Sequence, residues 1–211
     1  VTATGRLHIL YVKEMETTGK KAVFRRIYEL DLLEAEGEKA ITFGDINCVS
    51  PVIVQDKTSA KKVWYGWVSR DEDVFVGDYD NSCSLRFMIV DRYSPTVYQE
   101  ATILGTVKNL NVGSNIALVP HLSGMYALYT VYEAGQYGIY YQEFDNWGNK
   151  SSEPIYLEAG HKVSGAIDGD GSLWVIYQYL SAIYYRARES GAGEVKWNAA
   201  TKELEFERAP V

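Results

Sequence analysis

The chain lacks the residues on which most metal and cofactor sites depend. Its 211 residues include two cysteines and three histidines, and none of the histidines His8, His121 and His161 lies near another or beside a cysteine at ligand spacing. Two cysteines cannot complete a structural zinc site without other ligands. Glycine-rich phosphate loops of the Gly-x-Gly-x-x-Gly and Gly-x-x-x-x-Gly-Lys-Ser/Thr types are absent as well. We therefore expect no metal and no cofactor.

Long apolar runs and clusters of basic residues are also missing. No run approaches the roughly 20 apolar residues of a membrane-spanning helix. The 21 lysines and arginines are outnumbered by 28 aspartates and glutamates, which gives a formal net charge of −7. An acidic chain without a basic cluster is poorly suited to binding a phosphate backbone. We expect neither a membrane span nor a nucleic-acid partner.

No catalytic constellation can be recognised in the sequence. It has no Gly-x-Ser-x-Gly elbow. Asp168-Gly169-Asp170-Gly171 opens like a calcium loop, but the twelfth position of that loop is Tyr179 instead of glutamate, which favours a tight turn. Four acids each end an apolar segment in a different part of the chain: Glu29, Asp80, Asp145 and Glu189. They are expected to lie on separate sheets, too far apart to act as the paired carboxylates of a glycosidase. We expect them to cap turns instead. The prediction is a protein without catalytic residues.

What the chain does contain is an internal repeat rich in aromatic residues. Four segments open with a β-branched residue and an aromatic one and end on an acid: residues 23–29, 74–80, 139–145 and 183–189. Intervals of roughly 45–65 residues are typical of β-propeller blades, and 17 tyrosines with five tryptophans favour strands. We predict one all-β domain over residues 1–211, a β-propeller of about four antiparallel blades, or part of a larger ring. The predicted blades are residues 1–46, 47–96, 97–160 and 161–211.

Alignment on the turns assigns strands within the repeats. Residues 171–177 match residues 5–11 at identical spacing, and residues 124–130 and 61–67 follow the same pattern more loosely. Near-continuous apolar runs of this kind suit strands that are buried on both faces. We therefore expect three tryptophans to pack between blades: Trp64, Trp67 and Trp174.

The remaining segments are assigned less uniquely. Outermost strands are predicted at residues 40–43, 85–90 and 154–157, and residues 30–39 form either a short helix or an acidic loop. Residues 194–197 and 204–207 are two candidate strands near the end of the last repeat.

The first repeat and the two cysteines leave alternatives open. That repeat lacks most of the inner strand, meaning the strand that precedes the turn in the other repeats. Residues 204–207, or sequence absent from this chain, could supply it. An open ring would leave unpaired strand edges that invite association. Cys48 and Cys83 lie in or beside the second repeat, so a disulfide and two unpaired thiols are both compatible with the sequence.

One segment carries a family resemblance. Asp168-Gly169-Asp170-Gly171-Ser172-Leu173-Trp174, followed by Ile183-Tyr184-Tyr185-Arg186, resembles the blades of sialidase-like propellers of the BNR type. The resemblance implies a propeller fold and, for the family, hydrolysis of sialic acids by three arginines, a tyrosine–glutamate pair and an aspartate. The arginine motif of the family, Phe/Tyr-Arg-Ile-Pro, has its nearest match in Phe24-Arg25-Arg26-Ile27, which lacks the proline. We therefore do not expect that activity.

The chain is also similar in style to propeller proteins of bacteriophage virions and tails. The shared features are high tyrosine content, an acidic balance, irregular blade lengths and an eroded repeat. This resemblance implies a structural protein that assembles with other subunits into an oligomer, located in a virion or outside the cell.

Aromatic residues in loops are the candidate binding residues. Trp147 lies in the polar turn Asp145-Asn146-Trp147-Gly148-Asn149, and Tyr93 and Tyr98 flank Pro95. Loop aromatics rimmed by polar groups stack on sugars or anchor a protein partner, although they can also fold back over the blade edge. We predict a non-enzymatic assembly or binding propeller. The alternative is a glycan-binding or sialidase-like glycoside hydrolase propeller.

Overall fold

The protein is built from β-strands in every part that is described. The computed structural model describes residues 6–29, 31, 33–42, 47–59, 61–70, 82–91, 97–108, 116–133, 136–188 and 200–205. Across these ranges there are 15 strands, which form four antiparallel sheets. No helix suited to crossing a membrane occurs in the described ranges.

Each sheet is a simple meander, because every strand pairs with its neighbours in the chain. Sheet 1 contains β1 (Leu7–Glu14), β2 (Lys21–Tyr28) and β3 (Glu34–Ala40). Sheet 2 contains β4 (Asn47–Gln55), β5 (Lys62–Arg70), β6 (Ser82–Asp91) and β7 (Val97–Lys108). Sheet 3 contains β8 (Ile116–His121), β9 (Gly124–Glu133), β10 (Gln136–Asp145) and β11 (Ile155–Ala159). Sheet 4 contains β12 (His161–Ile167), β13 (Leu173–Tyr179), β14 (Ala182–Arg188) and β15 (Thr201–Glu205).

Neighbouring sheets pack face to face, and strand β5 shows why its sequence is a nearly continuous apolar run: both of its faces are buried. Successive side chains of a strand point to opposite faces. Trp64 and Val68 therefore pack into the core between sheets 2 and 3, while Tyr65 and Trp67 belong to the core between sheets 1 and 2. The burial predicted for Trp64 and Trp67 is confirmed.

A third core joins sheets 3 and 4, and it includes Leu128, Tyr141, Leu173, Val175 and Tyr177. The extensive contacts between described strands of different sheets thus run from sheet 1 to 2, 2 to 3 and 3 to 4. None of these extensive contacts joins a described strand of sheet 4 to one of sheet 1.

The strand assignment in sheet 2 differs from the sequence prediction. Residues 85–90, predicted as the outermost strand, lie in β6, which pairs directly with β5 and is therefore the third strand. The outermost strand is β7, so sheet 2 extends to Lys108, past the predicted boundary at residue 96. The segment 74–80, predicted as the third strand, lies outside the described residues.

The acidic segment after sheet 1's second strand is a strand, neither the helix nor the loop that was expected. Its acids form ion pairs with cations on the other two strands of the sheet: Arg25 of β2 with Glu36 (2.5 Å), and both Lys13 of β1 (2.6 Å) and Arg26 of β2 (3.2 Å) with Glu38. Hydrogen bonds from Lys13 and Tyr11 hold the pKa of Glu38 at about 2. Cross-strand ion pairs support β3, and the strand ends at Ala40 instead of running over 40–43.

The last described strand, β15, belongs to sheet 4, and it pairs with no described strand of sheet 1. Leu204 pairs with Ile183 of β14, which places the segment Thr201–Glu205 as the fourth strand of its own sheet. The other candidate strand, residues 194–197, lies outside the described residues. Sheet 1 contains three strands among the described residues, as expected from a repeat without an inner strand.

The two cysteines lie on opposite sides of β5. Cys48 of β4 is opposite Ser69, and Cys83 of β6 is opposite Arg70. Two interstrand spacings separate their backbones by roughly 10 Å, beyond the reach of about 7 Å for a disulfide. Cys48 is a buried thiol, whose Sγ lies 3.7 Å from Ser69 Oγ.

Candidate functional site

Of the three predicted binding residues, the structure describes the side chain of Trp147. It lies in the turn between β10 and β11 and is 64% exposed. Lys62 of sheet 2 places its Nζ 3.8 Å from the centre of the Trp147 ring and donates a hydrogen bond to Asn146 O (2.9 Å). Tyr93 and the side chain of Tyr98, which belongs to β7, lie outside the described residues.

The turn that carries Trp147 is organised by a carboxylate. Asp145 Oδ1 accepts hydrogen bonds from the backbone N–H groups of Trp147 (2.8 Å) and Asn149 (2.9 Å). The predicted capping role is confirmed for Asp145. Glu29 forms an ion pair with Arg6 (2.6 Å), and its capping role stays a prediction. The other two acids, Asp80 and Glu189, lie outside the described residues.

Two sheets share a carboxylate–indole contact at the turn between their first and second strands. In sheet 2, Asp56 Oδ2 accepts the indole N–H of Trp64 (3.0 Å), and Oδ1 accepts the N–H groups of Thr58 (2.7 Å) and Ser59 (2.9 Å). In sheet 4, Asp168 Oδ2 accepts the indole N–H of Trp174 (2.7 Å).

The Asp168 carboxylate also organises its own turn. Asp168 Oδ1 accepts the N–H groups of Asp170 (3.0 Å) and Ser172 (2.9 Å). Both carboxylate oxygens therefore serve the turn, and the prediction of a tight turn is confirmed. No cluster of three or more potential metal ligands occurs in the part of the chain that the structure describes.

A pocket of about 410 Å³ opens between the turn that joins β8 to β9 in sheet 3 and the turn that joins β12 to β13 in sheet 4. Its lining includes Lys57, His121 and Tyr126, together with the turn 168–171. The rings of His121 and Tyr126 are stacked with their centres 4.3 Å apart. The guanidinium carbon of Arg188, at the end of β14, lies 5.4 Å from the centre of the Tyr126 ring.

Burial favours the neutral form of the histidine in this pocket. Burial lowers the pKa of His121 and outweighs the opposing effect of the nearby Glu143. His121 Nδ1 accepts the backbone N–H of Ser123 (3.2 Å), so the ring proton lies on Nε2, which is 3.6 Å from Glu143 Oε1. Within the described ranges, His121 Nε2 and Arg188 Nη1 are buried without a hydrogen-bond acceptor. Two buried donors therefore lie close to the stacked aromatic pair that lines the pocket.

The sequence did not reveal this pocket, because its residues come from turns of different sheets. One signal was present, however. His121 stands three residues before Gly124, as Asp168 stands three residues before Gly171, so the repeat alignment places His121 at the position of a turn carboxylate.

The second exposed feature is the outer face of sheet 4, which means the face turned away from sheet 3. Trp174, Ile176, Ile183 and Tyr185 line a shallow groove of about 390 Å³ there. Trp174 is 37% exposed and Ile176 49% exposed. The predicted packing of Trp174 between blades is therefore wrong for the described part of the chain. Its inward neighbours Leu173 and Val175 contact sheet 3, whereas no described element packs on its own face.

Comparisons with known proteins identify a similar fold. No family model and no curated protein sequence matches the chain. Among solved structures, the chain is similar to TolB from Acinetobacter baumannii, a β-propeller protein, with a TM-score of 0.50 and 18% sequence identity. The match covers 91% of this chain and 41% of the TolB chain, so the chain spans less than half the length of that protein. The fold is β-propeller-like.

Proposed function

We propose that the protein is a non-enzymatic assembly module of the propeller type, which binds a protein subunit through the outer face of sheet 4. The observation that supports this is the apolar groove lined by Trp174, Ile176, Ile183 and Tyr185, in which Trp174 and Ile176 are exposed. Burying one large apolar side chain contributes about 1.5–3 kcal/mol. A contiguous apolar patch of this kind marks an interaction surface.

The face fits a protein better than a small polar molecule. Its side chains are flat or branched hydrocarbons on neighbouring strands, and Trp174 packs on Tyr185 with ring centres 5.7 Å apart. The indole N–H of Trp174 is already bonded to Asp168. A partner sheet can therefore cover the face without leaving that donor unsatisfied. A virion or tail component, or another extracellular assembly, is the proposed setting.

Hydroxyl-radical labelling read by mass spectrometry tests this proposal. Labelling of Trp174 and Tyr185 should fall as the protein is concentrated from about 1 μM to about 1 mM, the range in which weak subunit contacts form. Trp147, which is exposed on a turn of sheet 3, is the internal control and should label equally throughout.

Paired variants make the test specific to the face. Ile176→Glu should abolish the protection of Trp174, because a carboxylate would be buried in the contact. Ile155→Glu changes an exposed isoleucine of β11 and should leave the protection intact. Labelling of Trp174 that is independent of concentration would contradict the assembly function.

A second candidate function, glycan binding, is supported by the pocket between the turns. The stacked His121–Tyr126 pair provides an aromatic surface for a sugar ring, and donors on His121 and Arg188 that lack a hydrogen-bond acceptor are buried close to it. Sialidase-like hydrolysis stays the enzymatic form of this alternative.

A glycan array followed by titration of the best ligand tests the second candidate. Tyr126→Ala should weaken binding at least about tenfold, which equals 1.4 kcal/mol. Trp147→Ala should leave affinity unchanged if the pocket is the site. Loss of binding in Trp147→Ala alone would instead assign the site to the β10–β11 turn, and an array without a ligand would end the glycan hypothesis.

A further inference from the structure

We propose that the partner of sheet 4 is sheet 1 of a second copy of this chain, bound head to tail. The proposal rests on the assembly function above and names its partner. It follows from two comparisons between sheets of the same molecule. One concerns sheet 4 and the other sheet 1, the two ends of the row of four packed sheets.

The first comparison shows what kind of surface covers such a face. Trp64 and Trp174 stand at the same position of the repeat, and each donates its indole N–H to an aspartate at the preceding turn. Trp64 is fully buried, because sheet 3 packs over it with residues that include Met125 and Phe144. Trp174 lacks such a cover among the described elements. The face of sheet 4 is therefore built like one that a neighbouring sheet buries.

The second comparison shows that the chain itself carries a matching surface. Leu7, Ile9 and Tyr11 of β1 stand at the repeat positions of Leu173, Val175 and Tyr177 of β13. The three residues of β13 are fully buried, and they form the surface with which sheet 4 contacts sheet 3.

The corresponding residues of β1 point away from sheet 2, on the face of sheet 1 that no other described sheet contacts. His8 and Leu10 point to sheet 2, where His8 Nδ1 lies 2.7 Å from Tyr65 Oη and Leu10 packs on the shared core. Side chains alternate along a strand, so Leu7, Ile9 and Tyr11 lie on the opposite face. Ile9 is 38% exposed there.

The charges on the two faces are compatible with the contact. By register, the outer face of sheet 4 carries uncharged residues on β13 and β14: Trp174, Ile176, Gln178, Ile183, Tyr185 and Ala187. On the open face of sheet 1, Lys13 and Arg26 are both paired with Glu38. Two cations share this one carboxylate, so the three groups carry one net positive charge, and the uncharged residues of the sheet 4 face place no cation against it.

Two copies joined at both ends would form a ring of two chains. A head-to-tail contact is heterologous, and it closes a ring when the rotation allows it. Eight sheets lie at the upper end of the usual propeller range of about 4–8 blades. The expected species has the mass of two 23.8 kDa chains.

Sedimentation velocity on two variants and their mixture tests the contact. Ile176→Glu damages the sheet 4 face, and Ile9→Glu damages the sheet 1 face. Wild type should sediment as two chains, and each variant alone as one chain. An equimolar mixture should recover the two-chain species, because one contact between the intact faces of the two variants is restored. Matching circular dichroism and melting curves for the variants at low concentration show that folding is intact.

The outcomes separate this proposal from the assembly function. If Ile176→Glu dissociates the wild-type species but Ile9→Glu does not, sheet 4 assembles with another surface and the head-to-tail partner is wrong. A mixture that stays monomeric overturns the head-to-tail contact as well. If wild type sediments as one chain and Trp174 labelling never changes, the assembly function itself fails.

Discussion

Gly124→Ala should destabilise the protein by roughly 3 to 5 kcal/mol, which combines backbone strain with a steric collision in the ladder. Gly124 begins β9 opposite Asp145 and has a φ of +151°, a conformation that L side chains rarely adopt. A Cβ added there would lie 1.9 Å from the carbonyl oxygen of Phe144 and 2.8 Å from the carbonyl carbon of Asp145. These are backbone atoms, so the collision cannot be relieved by a side-chain rotation.

Urea unfolding followed by circular dichroism measures this effect, and Gly37→Ala is the matched control. Gly37 lies in β3, and a Cβ added there would meet nothing within 4 Å. Its substitution should change the free energy of unfolding by no more than about 0.5 kcal/mol. Equal unfolding midpoints for the two variants would show that the turn before β9 is far more adaptable than its geometry indicates.

Asp56→Ala should lower the free energy of unfolding by about 2 to 4 kcal/mol, because a buried charged acceptor is removed and its donors lose their partner. Asp56 is 3% exposed and accepts the indole N–H of Trp64, which is itself fully buried. Asp168→Ala is the control in the corresponding turn of sheet 4. Its loss should be smaller, because Asp168 and its partner Trp174 are both accessible to water.

The same substitution should change how stability depends on pH. Burial raises the pKa of Asp56, but hydrogen bonds from Thr58, Trp64 and Ser59 outweigh burial and lower the pKa below its ordinary value. A carboxyl with a lowered pKa in the folded state stabilises the fold above its unfolded pKa, about 3.9. That stability is lost as the pH falls through the folded pKa.

Unfolding experiments between neutral pH and about pH 2, below the ordinary aspartate pKa, measure the difference between wild type and Asp56→Ala. The difference should be constant near neutral pH and should narrow below about pH 4, where the wild-type carboxyl begins to lose its stabilising charge. A difference that stays constant down to the acid limit would mean that Asp56 stabilises the turn without a change in its pKa.

The sequence predicted the second and third strands of sheets 3 and 4 and the fourth strand of sheet 3, because their turns and apolar runs are regular, whereas it left two candidates for the fourth strand of sheet 4. Gly124 and Gly171 mark the starts of the second strands, and acids or polar turns follow the third. The third and fourth strands of sheet 2 were assigned incorrectly. Two apolar segments, 74–80 and 85–90, compete for the third position there, and hydrophobic pattern alone cannot decide which one pairs with β5.

Strand β3 shows a different limit of sequence reasoning. The segment Glu34–Ala40 has no apolar alternation, so nothing in its own residues indicates a strand. Its support comes from Arg25 of β2 and Lys13 of β1, which pair with Glu36 and Glu38. Such pairs depend on register, which is known only once the sheet has formed.

The candidate sites were predicted in part. Trp147 is exposed on its turn, as expected, but the outer face of sheet 4 was not anticipated. Trp174 has the same sequence context as the buried Trp64, and the sequence cannot show whether a neighbouring sheet is present. The His121–Tyr126 pocket escaped notice because it combines turns of sheets that are distant in sequence.

The meander order of the four sheets has a consequence for how the chain folds and changes in length. Every ladder joins segments that are adjacent in the chain, so each pairing step closes a short loop at small entropic cost. If one complete sheet is added to the molecule or removed from it, no hydrogen-bonded strand pair inside the remaining sheets is broken. Duplication of a gene segment therefore lengthens such a molecule without redesigning it, and stability increases with each added interface.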